Sequence, residues 1–316
     1  MKLVISSQVP EEILAPLKGV YSLDYHNSQV PLTKDELKEK IKDADALLCP
    51  LSDKIDGDLM EAGKNLKMIA NYGAGFDNID LEAAKERNIV VTNAPAPSSA
   101  VSTAELTFAL ILASARKLVA GDKMLRRGEF HGWRPTFYLG SQLQGKTLGI
   151  IGLGNIGKNV ANRALAFGME VIYYSRTRKE DMEKEGLVYK DFESVLKEAD
   201  ILTLHTAYVP DLHHMISKKE FALMKDSALL INASRGPVVD EAALVDALKE
   251  GQIAGAGLDV YEREPAVEEG LLELDQVILS PHLGNATFAA RLEMAENAKD
   301  NLLQFARGEK PQNQVN

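Results

Sequence analysis

The sequence of 316 residues is poor in cysteine, in positive charge and in long apolar runs. Its single cysteine, Cys49, excludes an internal disulfide, and the apolar setting ADALLC predicts a small buried side chain there. Lysine and arginine together number 36 against 46 acidic residues, which gives a net charge of −10. A surface for nucleic acid or an anionic membrane needs a basic footprint, so we expect neither partner.

No apolar run reaches the roughly 20 residues that a membrane-spanning helix needs. The most apolar stretch, ELTFALILASARKL at 105–118, is interrupted by Ser114 and Arg116, which predicts a buried helix instead. The opening residues, MKLVISSQVPEE, turn acidic before the apolar region of a signal peptide can develop. We therefore expect a cytoplasmic protein.

What the sequence does contain is an alternation of short β-rich runs with amphipathic helical patterns. This alternation is typical of parallel sheets with helices on both faces. At roughly 150 residues per domain, the length predicts two domains with a cleft between them. Long helical patterns at 98–118 and 287–308 stand where the chain would leave the first domain and return to it. We expect residues 100–286 to form a domain inserted into another, which is made of residues 1–99 and 287–316.

A glycine-rich turn, TLGIIGLGNIGKN, predicts a dinucleotide site in the inserted domain. It places Gly152, Gly154 and Gly157 after a β-rich run and at the start of a helical pattern. In such a motif the first glycine makes the turn, the second admits a pyrophosphate, and the third lets helix and strand pack closely. The helix N-terminus that contains Asn155 and Ile156 then offers amides and a positive dipole to the phosphates.

The sequence also lacks the acidic residue that usually binds the ribose of such a dinucleotide. An NAD-binding domain usually offers Asp or Glu to the ribose 2′-hydroxyl about 20 positions after the motif. Here, 18 positions beyond Gly157, the run VIYYSRTRKE offers Ser175, Arg176, Thr177 and Arg178. Guanidinium and hydroxyl groups bind a 2′-phosphate, whereas a carboxylate repels it. The sequence therefore predicts a preference for NADP(H), with NAD(H) as the alternative.

Three polar residues follow three of the later β-rich runs. Arg235 comes after LLINAS, Glu264 lies in GLDVYEREP, and His282 follows VILSP. The carboxyl ends of parallel strands share one edge of a sheet, so these side chains are expected to converge beside the nicotinamide. Arg235 can bind a carboxylate bidentately, His282 can transfer a proton, and Glu264 beside it would favour the charged imidazole.

The chain resembles the D-isomer-specific 2-hydroxyacid dehydrogenases, and within them it is most similar to the glyoxylate/hydroxypyruvate reductase branch. The resemblance covers nearly the whole chain. It implies an α/β protein of two doubly wound parallel-sheet domains, with a Rossmann cofactor domain inserted into a discontinuous flavodoxin-like substrate domain. The motifs that carry it are NYGAGFDNID (71–80), VTNAPAPSSAVSTAE (91–105), GKTLGIIGLGNIG (145–157), INASRGPVVDEAAL (231–244), GAGLDVYEREP (255–265) and SPHLGNAT (280–287).

The resemblance also implies roles for single residues. Arg235, Glu264 and His282 would be the catalytic set, and Asp259 would hold the nicotinamide carboxamide. The backbone from Tyr72 to Gly75 would grip the substrate carboxylate. The predicted site is completed by cofactor residues at later strand ends and by substrate residues of the first domain: His205, Thr206, Ala233, Leu51, Gly73 and Ala74. His213 and His214 are adjacent, a spacing poorly suited to a metal, so no metal site is expected.

The main hypothesis is an NADPH-dependent reductase of glyoxylate or hydroxypyruvate. A bulkier branched 2-oxo acid is the rival substrate, because Leu51, Tyr72 and Trp133 could line a small or an elongated pocket. From a different class, the same fold serves as a nicotinamide-sensing transcriptional corepressor, which is a binding scaffold. The resemblance further implies a homodimer built on the region around 100–140, in which Trp133 would approach the partner's substrate pocket.

Overall fold

The computed structural model describes all 316 residues and divides the chain into two compact units. The first unit comprises Met1–Ser99 and Thr287–Asn316, and the second comprises Ala100–Ala286. Each unit has its own parallel sheet. The second unit is therefore an insertion within the sequence of the first.

The first unit contains five parallel strands in the spatial order 2-1-3-4-5, the flavodoxin-like doubly wound order. Its first four helices lie between these strands, and Thr33, Asp56 and Asp80 cap the second, third and fourth through their side chains. The strands are β1 (Lys2–Ile5), β2 (Ser22–Tyr25), β3 (Ala46–Pro50), β4 (Met68–Tyr72) and β5 (Val90–Thr92); the helices are α1 (Leu14–Lys18), α2 (Lys34–Ile41), α3 (Gly57–Ala62) and α4 (Leu81–Glu86).

The second unit contains seven parallel strands, with β6 to β8 on one side of the point where the strand order reverses and β9 to β12 on the other. The strands are β6 (Thr147–Ile151), β7 (Glu170–Tyr174), β8 (Val188–Tyr189), β9 (Ile201–Leu204), β10 (Leu229–Asn232), β11 (Gly255–Leu258) and β12 (Val277–Leu279). Their spatial order is β12-β11-β10-β9-β6-β7-β8. This is the Rossmann order with one added strand, and its reversal lies between β6 and β9.

Helices cover both faces of the second sheet, and a last long helix belongs to the first unit. The helices around the second sheet are α5 (Pro97–Ala115), α6 (Leu118–Arg126), α7 (Asn155–Ala166), α8 (Glu180–Lys184), α9 (Phe192–Glu198), α10 (Lys218–Phe221), α11 (Glu241–Lys249) and α12 (Glu269–Leu272). The last helix, which belongs to the first unit, is α13 (Phe288–Ala306). Short 3-10 helices occur at Glu11–Ile13, Pro210–Leu212 and Gly236–Val238. The buried side chains Met294, Ala295, Ala298 and Leu302 of α13 pack into the core of the first unit.

The predicted fold class is confirmed, and the differences from the sequence analysis are local. The strands β2 and β8 were not predicted, since β2 is largely solvent-accessible and β8 has only two residues. The helix expected at 98–118 ends at Ala115, because Lys117 has a left-handed backbone with φ of 51°, and α6 follows. By length and composition α5 could cross a membrane, but half of its apolar window is buried inside the structure.

Candidate active site

The glycine-rich turn joins β6 to α7 at the point where the strand order reverses. Gly152 has a φ of 96°, and a Cβ there would lie 2.6 Å from the His205 carbonyl oxygen. A Cβ on Gly157 would lie 2.3 Å from the Gly152 carbonyl oxygen, whereas a Cβ on Gly154 would meet open space. The turn thus has no room for side chains on its protein side and is accessible at Gly154. This geometry fits a pyrophosphate held at the N-terminus of α7, beside Asn155 and Ile156.

The end of β9 lies next to this turn and carries buried polar atoms that have no protein partner. His205 Nε2 is 3.0 Å from Thr203 Oγ1. Its other ring nitrogen, Nδ1, and Thr206 Oγ1 are buried without a hydrogen-bond partner. Burial lowers the pKa of His205 to about 3, so the ring is neutral near pH 7. Orphaned polar atoms beside a phosphate-binding turn fit a bound polar ligand such as a dinucleotide.

Only part of the predicted basic set in the loop after β7 is without a protein partner. Arg176 is exposed and makes no hydrogen bond or ion pair. Arg178 instead binds Glu183 through two hydrogen bonds, Nε to Oε1 at 2.7 Å and Nη2 to Oε2 at 2.6 Å. This pairing raises the pKa of Arg178. Ser175 donates to the Thr177 carbonyl oxygen at 2.7 Å. Arg178 stays a predicted 2′-phosphate residue, but Glu183 holds its guanidinium in this structure.

The second unit brings His282 and Glu264 into contact. His282 Nδ1 is 2.9 Å from Glu264 Oε2, and Glu264 Oε1 accepts from the Tyr261 amide at 3.0 Å. Partial burial raises the pKa of Glu264, but the bond and charge of His282 and the charge of Arg235 outweigh it and lower that pKa overall. Both side chains remain more than one-third exposed. A reacting molecule can therefore reach this pair.

Arg235 begins the short helix Gly236–Val238 after β10. The Asn232 side chain donates to the Arg235 carbonyl oxygen at 2.9 Å, and Arg235 Nη1 donates to the Ser234 carbonyl oxygen at 2.9 Å. A Cβ on Gly236 would lie 1.8 Å from the Tyr261 carbonyl carbon. The backbone after Arg235 therefore packs directly against the segment that leads to Glu264. The buried Ala233 precedes Arg235 at the same sheet edge.

The Asp259 side chain is buried and fully engaged by protein donors. It is only 1% exposed. Its carboxylate accepts hydrogen bonds from Ser280 Oγ at 2.5 Å, the Leu283 amide at 2.7 Å and the Gly284 amide at 2.7 Å. The His282 amide also donates to the Asp259 carbonyl oxygen at 2.9 Å. These contacts hold the His282 loop, and the role expected for Asp259 at the nicotinamide stays a prediction.

His282 itself has a left-handed backbone with φ of 53°. Such a backbone is unfavourable for a residue other than glycine, and it persists where surrounding contacts impose it. The bonds from Asp259 on both sides of His282 are those contacts. Strained residues of this kind concentrate at functional sites, which agrees with the role expected for His282.

In the first unit, the loop after β4 turns its carbonyl groups inward. The Gly73 carbonyl oxygen accepts from the Ala94 amide at 2.8 Å. The Ala74 and Gly75 carbonyl oxygens accept from the side-chain amides of Asn93 at 2.7 Å and Asn71 at 2.6 Å. The amides of Ala74 and Gly75 donate to no protein acceptor. Free amides on an anchored loop are suited to an anion such as a carboxylate.

Two predicted substrate residues have other surroundings than expected. The Tyr72 ring is buried in the core, its hydroxyl donates to the Arg291 carbonyl oxygen at 2.5 Å, and burial raises its pKa to about 12. Tyr72 therefore cannot line a pocket with its side chain. Leu51 covers Gly73 so closely that a Cβ on Gly73 would lie 2.7 Å from Leu51 Cγ. The anchoring roles of Asn71 and Asn93 were missed; their places at or just after strand ends were the only signal.

Comparisons with known proteins agree with this arrangement. Residues 108–284 match the family model described as D-isomer specific 2-hydroxyacid dehydrogenase, NAD binding domain. A Staphylococcus haemolyticus protein that is provisionally named as a 2-hydroxyacid dehydrogenase is 48% identical over 316 residues, which is 100% of this chain and 99% of that protein.

Solved structures are similar over almost the whole length. A Thermus thermophilus protein shares 40% identity with a TM-score of 0.93, and all of each chain is covered. The NADPH-dependent glyoxylate/hydroxypyruvate reductase of Sinorhizobium meliloti, solved with NADP and malonate, shares 30% identity with a TM-score of 0.87. That match covers 99% of this chain and 96% of the reductase.

Proposed function

Because the chain belongs to the D-isomer specific 2-hydroxyacid dehydrogenase family, we propose that it reduces glyoxylate or hydroxypyruvate to the D-2-hydroxy acid with NADPH. Membership makes it an oxidoreductase with a nicotinamide cofactor and a small-molecule substrate. The single observation that carries the chemistry is the 2.9 Å contact between His282 and Glu264, beside the charge of Arg235.

The proposed reaction assigns a separate task to each of the three residues. When bound, the reduced cofactor supplies the hydride to the carbonyl carbon of the 2-oxo acid. Arg235 binds the substrate carboxylate and polarises the neighbouring carbonyl. His282, protonated and held through Nδ1 by Glu264, gives its Nε2 proton to the oxygen as negative charge develops there. In the oxidative direction the neutral His282 removes that proton.

Substrate carboxylate binding is proposed to involve the free amides of Ala74 and Gly75 as well. Their carbonyl groups are anchored by Asn93 and Asn71, which leaves the amides directed away from internal acceptors. Leu51 adds an apolar side chain against Gly73. A small polar acid such as glyoxylate or hydroxypyruvate suits a grip made of backbone amides. The likeness to the Sinorhizobium meliloti reductase supports the same choice.

The NADPH preference is proposed to depend chiefly on Arg176. Its guanidinium is exposed and unpaired, and no carboxylate stands at position 175. Ser175 and Thr177 can add hydroxyl groups to the same phosphate. Since Arg178 is held by Glu183, the expected preference for NADPH over NADH corresponds to one charged hydrogen-bond partner for the 2′-phosphate. At about 1.5–3 kcal/mol for a charged hydrogen bond, that corresponds to roughly ten- to over a hundredfold.

The first test is a steady-state comparison of NADPH and NADH with glyoxylate, hydroxypyruvate and 2-oxoisocaproate. The proposal expects the highest kcat/KM with NADPH and one of the two small acids. The fastest turnover with 2-oxoisocaproate would replace them with a branched substrate. Equal kcat/KM for the two cofactors would remove the 2′-phosphate argument. No turnover with any pair would favour the corepressor-type scaffold.

A homodimer in the cytoplasm is also proposed. Large apolar side chains are exposed along α6 and the loop that follows, including Leu118, Leu125 and Leu139, and Trp133 is 80% exposed. An exposed apolar patch of this kind is typical of an interface. Light scattering should therefore give twice the chain mass, and Trp133→Ala with Leu125→Ser should lower it. A monomeric wild-type protein would refute the dimer.

A further inference from the structure

A histidine outside the proposed catalytic set joins the two segments that carry Arg235 and Glu264. We name these the arginine loop, residues 235–240, and the glutamate loop, residues 259–264. His214 Nε2 lies 3.1 Å from Glu262 Oε2 in the glutamate loop. His214 Nδ1 lies 3.8 Å from Asp240 Oδ2 at the end of the arginine loop. The imidazole therefore stands between the two loops, within ion-pair distance of a carboxylate on each, and its buried Nε2 makes no hydrogen bond in this structure.

The backbone around His214 is bonded to the arginine loop as well. The His214 amide donates to the Pro237 carbonyl oxygen at 2.8 Å, and the Ile216 amide donates to the Val238 carbonyl oxygen at 3.0 Å. The Asp240 amide donates back to the Ile216 carbonyl oxygen at 2.9 Å. His214 has a φ of 53°, and its ring stacks on His213 with the centroids 3.9 Å apart. The ring is thus fixed by its own backbone and by its neighbour.

The glutamate loop is fixed to the start of α11 by a reciprocal pair. The Glu241 amide donates to Glu262 Oε1, and the Glu262 amide donates to Glu241 Oε1, both at 2.8 Å. Glu262 therefore uses one carboxylate oxygen on α11 and turns the other toward His214. Asp240 is shared in the same way, since Oδ1 accepts the Ala243 amide at 3.0 Å and Oδ2 accepts Ser217 Oγ at 2.8 Å.

The two carboxylates that His214 approaches are close in the sequence to the proposed catalytic residues. Asp240 is five residues after Arg235, and Glu262 is two residues before Glu264. The loops also touch directly, because Gly236 packs on the Tyr261 backbone. We propose that His214 is a positioning residue that holds the arginine and glutamate loops in register, so that Arg235 and the Glu264–His282 pair act on one substrate. This inference rests on the proposed function.

A metal ion is the other reading of these three side chains. One atom from each of His214, Asp240 and Glu262 can lie within 4.8 Å of the others. The two carboxylates, however, approach different nitrogens of a single ring. Both carboxylates are already engaged by protein donors, Glu262 by the Glu241 amide and Asp240 by the Ala243 amide and Ser217 Oγ. The geometry points to a bridge between two loops rather than a chelate.

The test compares His214→Phe with His213→Phe. Both substitutions keep an aromatic ring for the stack, but only the first removes nitrogen atoms that face carboxylates. We expect His214→Phe to lower kcat for the 2-oxo acid about ten- to a hundredfold, as small misplacements of catalytic groups do. The dissociation constant for NADPH should stay within about twofold, because the glycine-rich turn is untouched. His213→Phe should retain both values.

Two further variants separate positioning from a general loss of structure. His214→Gln can still donate to one carboxylate and should recover part of the kcat. The double variant Glu262→Gln with His214→Phe should lose no more kcat than His214→Phe alone, since the two substitutions remove the same bridge. Equal losses in His214→Phe and His213→Phe, or fully additive losses in the double variant, would overturn the bridge. A rise in Tm with Zn²⁺ in the wild type, absent in His214→Phe, would replace it with a metal site.

A readout without turnover distinguishes this inference from the proposed function. Hydrogen exchange of the cofactor-free protein should be faster in both loops of His214→Phe than in His213→Phe. That result with no reductase activity in the wild type would refute the proposed reaction but retain the bridge. Wild-type activity with unchanged exchange and unchanged kcat in His214→Phe would refute the bridge alone.

Discussion

His282 and Glu264 are 18 positions apart in the sequence, yet His282 Nδ1 and Glu264 Oε2 lie 2.9 Å from each other. A carboxylate accepts hydrogen bonds, so Nδ1 carries the proton in this contact and Nε2 is left for the proposed proton transfer. The same carboxylate accepts the Tyr261 amide through Oε1. Glu264 is thus held from two sides, and its own orientation sets that of the imidazole.

Substitution of this pair should reduce the rate without weakening cofactor binding. His282→Asn removes the proton donor and should lower kcat about 10²- to 10⁴-fold, the range for general acid catalysis. Glu264→Gln keeps a hydrogen-bond acceptor but removes the charge, so we expect a smaller loss of kcat. Stopped-flow or steady-state kinetics at several pH values will measure both losses.

Glu268→Gln is the matched control for Glu264→Gln. Glu268 follows Glu264 in the same stretch of chain and pairs with the exposed Arg263 at 3.1 Å, away from His282. Its substitution should leave kcat and the pH profile unchanged. A loss of rate in Glu268→Gln equal to that in Glu264→Gln would show that the loss is not specific to Glu264, and the assigned pair would be wrong.

The parts of this site that sequence analysis predicted depend on local or topological rules. The glycine-rich turn follows a strand and opens a helix with its glycines at fixed intervals, so its spacing was sufficient. Arg235, Glu264 and His282 follow parallel strands, whose carboxyl ends share one edge whatever the details of the loops. The contacts of Asp259 and Arg178 could not be predicted in this way, because each depends on which groups from other segments surround the side chain. Asp259 meets the Leu283 and Gly284 amides, and no spacing rule foretells that bond.

Arg176 and Arg178 should differ sharply in their effect on cofactor choice. Arg176→Ala removes the exposed guanidinium and should lower kcat/KM for NADPH by about ten- to a hundredfold, with NADH nearly unchanged. Arg178→Ala should change the ratio by less than about threefold, since Glu183 already holds that side chain. The ratio of kcat/KM for the two cofactors measures both effects.

Glu183→Gln extends the same comparison. It weakens the pairing of Arg178 and should free the guanidinium for the phosphate, so the preference for NADPH should increase. A stronger effect of Arg178→Ala than of Arg176→Ala would mean that Arg178 leaves Glu183 when the cofactor binds. In that event the assignment of the 2′-phosphate to Arg176 would be withdrawn.

The contact of Gly73 with Leu51 predicts a paired effect in the first unit. A methyl group on Gly73 would lie within 2.7–2.9 Å of three Leu51 side-chain atoms, Cγ, Cδ1 and Cδ2. Gly73→Ala should therefore displace the loop and raise KM for the 2-oxo acid about tenfold or more. Leu51→Ala removes those three atoms, so the double variant should recover most of the lost affinity. An unchanged KM in Gly73→Ala would separate this loop from substrate binding.

The partly buried His205 predicts a dependence of stability on pH. Its pKa in the folded protein is lowered to about 3 by burial, against about 6.5 in an unfolded chain. Between these values the unfolded state binds the extra proton, so the free energy of unfolding falls as the pH falls through this window. The wild type should lose up to about 1.4 kcal/mol of unfolding free energy per pH unit from this one group.

Urea unfolding of His205→Gln should show a slope of unfolding free energy against pH that is smaller by that amount. His131→Gln, which alters an exposed histidine, should retain the wild-type slope. Parallel slopes in all three proteins would mean that His205 takes up its proton at the same pH in the folded and unfolded states, and its lowered pKa in the folded protein would then be wrong.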